Sequence, residues 1–593
     1  MTKKNKKKTK FIYKLLSLLL IIASALSIIG IITLNILNMK YFMIVVGIIL
    51  FINLVSYLWM IKSKKKKSGT IFSFFFLIVF SILSFYIFET NGMLNNILSH
   101  HKVYTYKVIV RTDSDYKQLS DLDKNTMGYF NNKTEETDKA IKHIDKKITP
   151  DYKEYDDINK LTNSLLSSEI ESIVIEESYY NMITEENSDF IDNTKVIYTF
   201  KIRQAISDFS KDVDVSKKPF NIFISGIDTY GSIDSVSRSD VNMVVTINPK
   251  TKQILMTGIP RDYYVQLHGI NGYKDKLTHA GLYGVDNSVQ TIEDFLGINI
   301  NYYVKVNFSS VVNIVNTLNG VEVYSEYDFT SIDGYHYSRG YNKVNGEEAL
   351  SFARERKAFS AGDNQRIKNQ QALLQALVKK AISKDIIYKY SKLLNNLSDS
   401  FVTNMSPSRI TSLIRMQLDD MADWNITSNS LTGEGELNYT YSYPSQKLYV
   451  MVPDTDSITK TKELIDAVFN GDTLESSYDE NTGTTHIVTK SQPTPNTSNN
   501  NTEKKEESKK EVEKTSETNT SQTDEPEEIE GTTTSNVETS STIGENNTSS
   551  IETPETSTTE VTSSTEIEDN NNYREIIIFL FLNISLHNKD DES

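Results

Sequence analysis

Three long apolar runs at the start of the chain, Leu15 to Leu34, Tyr41 to Ile61 and Ile71 to Phe88, constrain it more than any other feature. They hold 20, 21 and 18 nearly uncharged residues, each enough to cross a hydrocarbon core of roughly 30 Å. Lys3, Lys4, Lys6, Lys7, Lys8 and Lys10 precede the first run, Lys40 alone separates the first two, and Lys62 with residues 64–67, all lysine, separates the last two. Positive charge stays on the cytoplasmic side. The N-terminus and second loop are therefore expected in the cytoplasm, with everything from about Thr90 outside. No small-residue cleavage pattern follows the first run, which argues against a removed leader. The start of the chain reads as a basic cytoplasmic segment, 1–14, and three transmembrane helices, 15–88.

The rest is too long for one domain. The formal net charge of -15 is regional, since lysines crowd the first 70 residues and acids accumulate after about residue 500. The chain has no cysteine, which excludes disulfides, thiolate nucleophiles and Cys-ligated zinc or iron–sulfur sites. Its basic runs flank the membrane instead of forming a stripe on a domain, so no nucleic-acid partner is expected. Residues 100–200 alternate strand-like runs (YTYKVIV, ESIVIEESYY) with amphipathic helices (DKAIKHIDKK, DINKLTNSLLSS), predicting a small α/β accessory domain. Arg111-Thr112-Asp113 reads as a solvated turn. Residues 491–572 are rich in Ser, Thr, Asn, Glu and Pro and predict a disordered tail. The final apolar run, EIIIFLFLNISL, is too short to span a bilayer.

Between 220 and 472 the pattern is that of a folded domain. FNIFISGI, DVNMVVTINP and KQILMTGIP are apolar, β-branched runs separated by turn residues such as Asn248-Pro249-Lys250, and read as adjacent buried strands. Alternating strands and helices follow, predicting an α/β sandwich around a central sheet. Charge lies where the strands stop: Asp228 after the first, Arg238 and Asp240 before the second, Arg261 and Asp262 after the third. Further on, Asp363, Arg366, Gln370 and Leu373 or Leu374 share one helical face that becomes apolar. Asp363 is placed to cap this helix. Arg366 and Gln370 are carried under the surface, where a guanidinium needs a partner. That partner is either a carboxylate or a bound anion. Arg354 and Arg356, just upstream, favour the anion, because bidentate arginine forks suit phosphate. Asp228 and Asp240 are hard oxygen ligands with no His or Cys cluster nearby, so Mg2+, or alternatively Mn2+, is expected over zinc. Paired carboxylates, a hard cation and several arginines together describe a pyrophosphate site.

GIDT, SRSDVNMVVTINP, GIPRDYYV, KLTHAGLYG, INYYVKVNF, LNGVEV, GEEALSFARERK and GDNQRIKNQQALLQAL, in this order, resemble the core of the LytR-CpsA-Psr family, over about 250 of the 593 residues. The three-span anchor and extra domain resemble its capsule-linked CpsA branch. The resemblance implies a magnesium-dependent extracytoplasmic phosphotransferase in the cell membrane of a Gram-positive type of cell. Its substrate would be a polyprenyl-pyrophosphate-linked glycan of capsule or teichoic-acid type, its acceptor peptidoglycan, and its partners capsule or wall biosynthesis proteins. By the same resemblance Asp228 and Asp240 match magnesium-associated carboxylates. Arg238, Arg261, Lys276, Arg354, Arg356, Arg366 and Gln370 match the pyrophosphate-binding set, Lys276 lying with His279 in a motif that borders the site. Where many members place Gly-Gly after that His, this chain has Gly284-Val285.

The catalytic candidates are then Asp240, Arg261, Asp262, Arg354, Arg356 and Asp363. Asp262 and Asp363 compete for the role of general base, with Asp240 a third candidate. Two rivals use the same pocket: a non-catalytic membrane regulator that binds lipid-linked glycan, and a polyprenyl-pyrophosphate glycan hydrolase with water as acceptor.

Overall fold

The computed structural model describes residues 3–490 except 63–65, 97, 99–100, 132–133, 228–231, 384–399 and 480–483. Asp228, the tail at 491–572 and the final apolar run lie outside the described residues.

The first three helices are α1 (Lys3–Leu34), α2 (Met39–Lys62) and α3 (Lys66–Asn96). Within them Phe11–Leu34, Met39–Met60 and Lys67–Gly92 are long and apolar enough to cross a membrane, and they are the chain's membrane anchor. Leu20, Ile49 and Phe80 meet at their shared seam. Ser27 and Ser84 hydrogen-bond across it at 2.9 Å, while Phe11, Leu50, Phe51 and Phe85 stay exposed on the outer faces.

A first α/β module follows. Its strands are β1 (His101–Arg111), β2 (Thr126–Phe130), β3 (Asp151–Tyr155), β4 (Ser172–Glu176) and β5 (Thr194–Ala205), in the order β3-β2-β4-β1-β5. Its helices are α4 (Glu135–Asp145), α5 (Ile158–Leu166), α6 (Glu177–Glu186) and α7 (Ser188–Asn193). The strand SIVIE is buried at every position because both faces of the sheet are covered. The first and last residues of the module, His101 and Ala205, are register partners in the β1–β5 pair. Arg111 and Asp113 pair at 3.0 Å on the surface.

The second module is built on β6 (Phe220–Ile227), β7 (Ser239–Asn248) and β8 (Gln253–Ile259), which pair antiparallel. After β8 come β9 (Tyr264–Val265), β10 (Asp275–Lys276), α8 (Leu277–Ala280), α9 (Val285–Leu296), β11 (Tyr302–Val306) and α10 (Phe308–Thr317). Two small hairpins pair β12 (Val321–Ser325) with β15 (Gly340–Val344), and β13 (Phe329–Thr330) with β14 (His336–Tyr337). Then come α11 (Gly346–Arg354), α12 (Asp363–Ala381), β16 (Val402–Thr403), α13 (Pro407–Asp420) and β17 (Asn425–Ser430). The central sheet has the order β16-β11-β6-β7-β8-β17, with β11 parallel to β6 and β17 parallel to β8.

Period-two alternation sends Val244 to one face and Met243 and Val245 to the other. Val244 packs with Val289 and Ile292 of α9. Met243, Val245, Ile254 and Met256 pack beneath Leu374 and Val378 of α12. The result is the α/β sandwich. A hairpin of β18 (Gly433–Tyr439) and β19 (Lys447–Pro453) leads into α14 (Thr455–Asn470), and β20 (Thr473–Asp479) with β21 (Thr484–Lys490) follows.

Candidate functional site

Three connections meet at one end of the central sheet. Asp240 is the second residue of β7. Pro260 ends β8, because a ring nitrogen cannot continue the ladder, and the chain turns through Arg261 and Asp262. The short α8 is laid against this turn: Leu277 N donates to Tyr263 O and Thr278 N to Arg261 O, each at 2.9 Å. The contact brings the Thr278 hydroxyl to Asp240 Oδ1 at 3.1 Å, while Arg261 Nη1 donates to Asp240 Oδ2 at 2.9 Å.

From the other side comes α12. It lies so close to β8 that a Cβ on Gly258 would stand 2.3 Å from Ile367 Cγ2. Gln371 fixes this distance by donating to Asn429 O at 2.6 Å and Met256 O at 3.3 Å. The helix thereby presents Arg366, whose Nη2 stands 2.6 Å from Asp363 Oδ1. Asp363 is the first residue of the helix, with Gly362 at the N-cap, and its Oδ1 has no hydrogen-bond partner among the described residues. The chain enters the helix one residue earlier than the spacing predicts, and the carboxylate turns to Arg366 instead of to a backbone N–H.

Two buried donors are left over. Among the described residues Arg366 Nε and Arg261 Nε have no acceptor, and the nearest Asp262 oxygen lies 3.6 Å from Arg261 Nε, beyond hydrogen-bond range. Burial opposes ionisation of Asp240, but the guanidiniums of Arg261, Arg366 and Arg238 outweigh it and hold its carboxyl below the usual range. Asp363 goes the other way: burial raises it, with Arg366 and Arg261 only partly offsetting the effect. Burial also lowers Arg366, against the pull of Asp363 and Asp240. Two carboxyls in one pocket are thus driven apart in proton affinity.

The remaining candidates surround this centre. Lys276 Nζ stands 3.1 Å from Asp262 Oδ1. His279 is buried and bound through Nδ1 to Asp275 Oδ1 at 2.6 Å, and Asp275 Oδ2 accepts from Ser442 N at 2.9 Å. That network spends His279 on holding α8 in place. Gln370 Nε2 contacts Ala353 O at 3.4 Å. Arg356 is exposed and near enough to act electrostatically on Asp363 and Arg366. Arg354 lies over the Phe308 ring, 4.2 Å from its centre. Gly284 takes φ 109° at the start of α9, and Val285 next to it is an ordinary helical core residue. Glu185 of α6 takes both terminal nitrogens of Arg238, the Nη1–Oε2 bond being 2.8 Å. Neither Thr278, Gln371 nor Glu185 stands out in the sequence. Only the backbone contacts that fold α8, β17 and α6 onto the site bring them there. Among the described residues no group of three or more His, Cys, Asp or Glu side chains is arranged to hold a metal.

The second module is thus an α/β sandwich with a largely buried carboxylate and two largely buried arginines at one sheet end. The LytR_cpsA_psr family model matches residues 174–464. The polyisoprenyl-teichoic acid–peptidoglycan teichoic acid transferase TagU of Bacillus anthracis is 34% identical over 231 residues, covering 36% of this chain and 75% of that protein. TagV of Bacillus subtilis, named for the same transfer, is 34% identical over 282 residues, covering 46% of this chain and 69% of that one. The crystal structure of B. subtilis TagV aligns at 32% identity with a TM-score of 0.37, covering 43% of this chain and 98% of that one. The chain belongs to the LytR-CpsA-Psr family.

Proposed function

We propose that the second module transfers a glycopolymer from a polyprenyl pyrophosphate carrier to a peptidoglycan hydroxyl, forming a phosphodiester. The observation that carries this reading is the pair of buried Nε donors on Arg261 and Arg366, unsatisfied beside Asp240. A buried donor without an acceptor is costly, and pyrophosphate oxygens supply what is missing. TagU and TagV are named for a transfer of this class. The lysine distribution around α1 to α3 supports an outward-facing module, on the side of peptidoglycan.

Arg261, Arg366 and Arg238 bind and orient the pyrophosphate, with Arg356 and Arg354 at the rim. Asp240 keeps Arg261 aimed, and Thr278 keeps Asp240 aimed. Asp363 is the better placed general base, because burial raises its proton affinity even beside Arg366, whereas Asp262 is held by Lys276. The acceptor oxygen bonds to the phosphorus nearest the glycan, and its proton passes to Asp363. The bond from that phosphorus to the bridging oxygen breaks, and polyprenyl phosphate leaves into the field of the arginines. Among the described residues each Asp240 oxygen has one hydrogen-bond partner, which leaves lone pairs for a hard cation. With phosphate oxygens and Asp228, Asp240 suits Mg2+ or Mn2+. Such an ion would neutralise charge on the transferring phosphoryl group.

The test is an assay of the purified protein with polyprenyl-pyrophosphate-linked oligosaccharide, a peptidoglycan oligomer and magnesium. A phosphodiester-linked product that disappears in Asp240→Ala and Arg261→Ala is expected. Release of glycan phosphate at the same rate with and without peptidoglycan would replace the transferase by a hydrolase. Tight binding of the lipid-linked glycan without turnover would replace it by a regulator.

A further inference from the structure

The first module encloses a cavity of about 140 Å3 that plays no part in the proposed chemistry. It is walled by Tyr104 and Tyr106 of β1, Tyr179 of α6 and Gln204 of β5, and by two acids, Glu136 of α4 and Glu176 at the end of β4. Glu136 is 6% exposed and Glu176 5%. Glu176 has local donors, accepting from Ser178 N at 3.0 Å and Ser178 Oγ at 3.1 Å. Burial pushes its carboxyl up to about 8, so it is largely uncharged at neutral pH. Glu136 makes no hydrogen bond or ion pair among the described residues, and Gln204 Oε1 is buried without a donor. Lys102, at the edge, is already spent: its Nζ donates to both Asp286 oxygens at 3.0 Å and to Tyr283 O at 2.9 Å.

The cavity therefore holds one carboxyl side chain, Glu136, with no ion-pair partner among the described residues, and one acceptor, Gln204 Oε1, without a donor, inside a wall of tyrosine rings. A carboxyl side chain drawn this far from water gains from a cationic group placed beside it. A bare metal ion fits poorly, because no cluster of three His, Cys, Asp or Glu side chains is present among the described residues. The volume is instead close to that of a cavity that accepts benzene, about 150 Å3. Tyrosine rings with a carboxylate are the recognised chemistry for ammonium groups. We propose that this cavity binds a small organic ammonium ion, a primary or quaternary amine of up to about seven heavy atoms. Its floor includes Leu282 and Tyr283, the turn that directly follows α8. The ligand would thus sit behind the helix that carries Thr278 to Asp240.

Calorimetric titration of the full-length protein in nanodiscs with tetramethylammonium chloride, against matched sodium chloride, tests this. Saturable binding is expected, weakened at least ~10-fold in Glu136→Gln and unchanged in Glu135→Gln, an exposed neighbour. tert-Butanol, neutral and of similar shape, is expected to show no saturable binding. This comparison reads the charge requirement in the unmutated protein even if Glu136→Gln does not fold. Absence of saturable tetramethylammonium binding, equal affinity in a folded Glu136→Gln, or equal binding of tert-butanol would each overturn the proposal.

Discussion

Glu185 and Arg238 face each other across the boundary between the two modules, with the guanidinium gripping both carboxylate oxygens, one at 2.8 Å. An arginine of the candidate pyrophosphate set is therefore occupied by an internal anion. Glu185 is half exposed, at 51%, and a pair of that kind contributes about 0.2–1 kcal/mol. Glu185→Gln should tighten inorganic pyrophosphate binding two- to five-fold, with the melting temperature nearly unchanged. Weaker binding in a competition titration would mean instead that Glu185 holds Arg238 in its working orientation.

Asp240 and Asp363 should respond oppositely to acid. The folded-state proton affinity of Asp240 is depressed, so its stabilisation is present above the unfolded value of about 3.9 and is lost as pH falls through the folded value. That of Asp363 is raised, so stability declines as pH climbs from about 3.9 through its folded value. Asp240→Asn should cost about 3 kcal/mol at neutral pH by removing the carboxylate that holds Arg261. Asp363→Asn should cost less, because the ion pair it takes from Arg366 is offset by relief of a carboxylate that burial disfavours. Melting curves from pH 3 to 8 check both signs.

Arg366→Lys keeps the charge and removes the fork. If the Nε proton of Arg366 is a phosphate donor, turnover should fall by roughly 10²-fold while the fold persists. Retained turnover in the lysine variant would show that charge alone suffices.

Lys305 is buried on β11, with Nζ donating to Ser235 O at 2.8 Å, and burial lowers its proton affinity to about 8. Its unfolded value is about 10.4, so the folded protein releases this proton first and gains stability as pH rises between the two values. Lys305→Met should abolish that rise, which thermal melts at pH 7.5 and 9.5 would detect.

Much of the second module was legible because apolar residues that line a sheet must alternate or run continuously. FNIFISGI, DVNMVVTIN and QILMTGI are strands for that reason, and the Asp363–Arg366 spacing put both residues on one turn of helix. What escaped was decided by long-range contact. NITSNS, the edge strand β17, is polar and carries no apolar alternation to mark it; β8 offers the parallel partner that makes it a strand. Glu185 lies 53 positions from Arg238, and no local pattern links them. Asp363 was misplaced as a cap because an ion pair with Arg366, buried beside it, outcompeted the backbone N–H.

The pairing of His101 with Ala205 also bears on how such a chain can be assembled. Entry to and exit from the first module stand side by side, within about 5.5 Å between neighbouring strands, so the chain leaves the module beside the point where it came in. A unit of that geometry can change length inside without moving its two ends apart. What must stay fixed are the contacts that cross to the next module, Glu185 on Arg238 and Lys102 on Asp286.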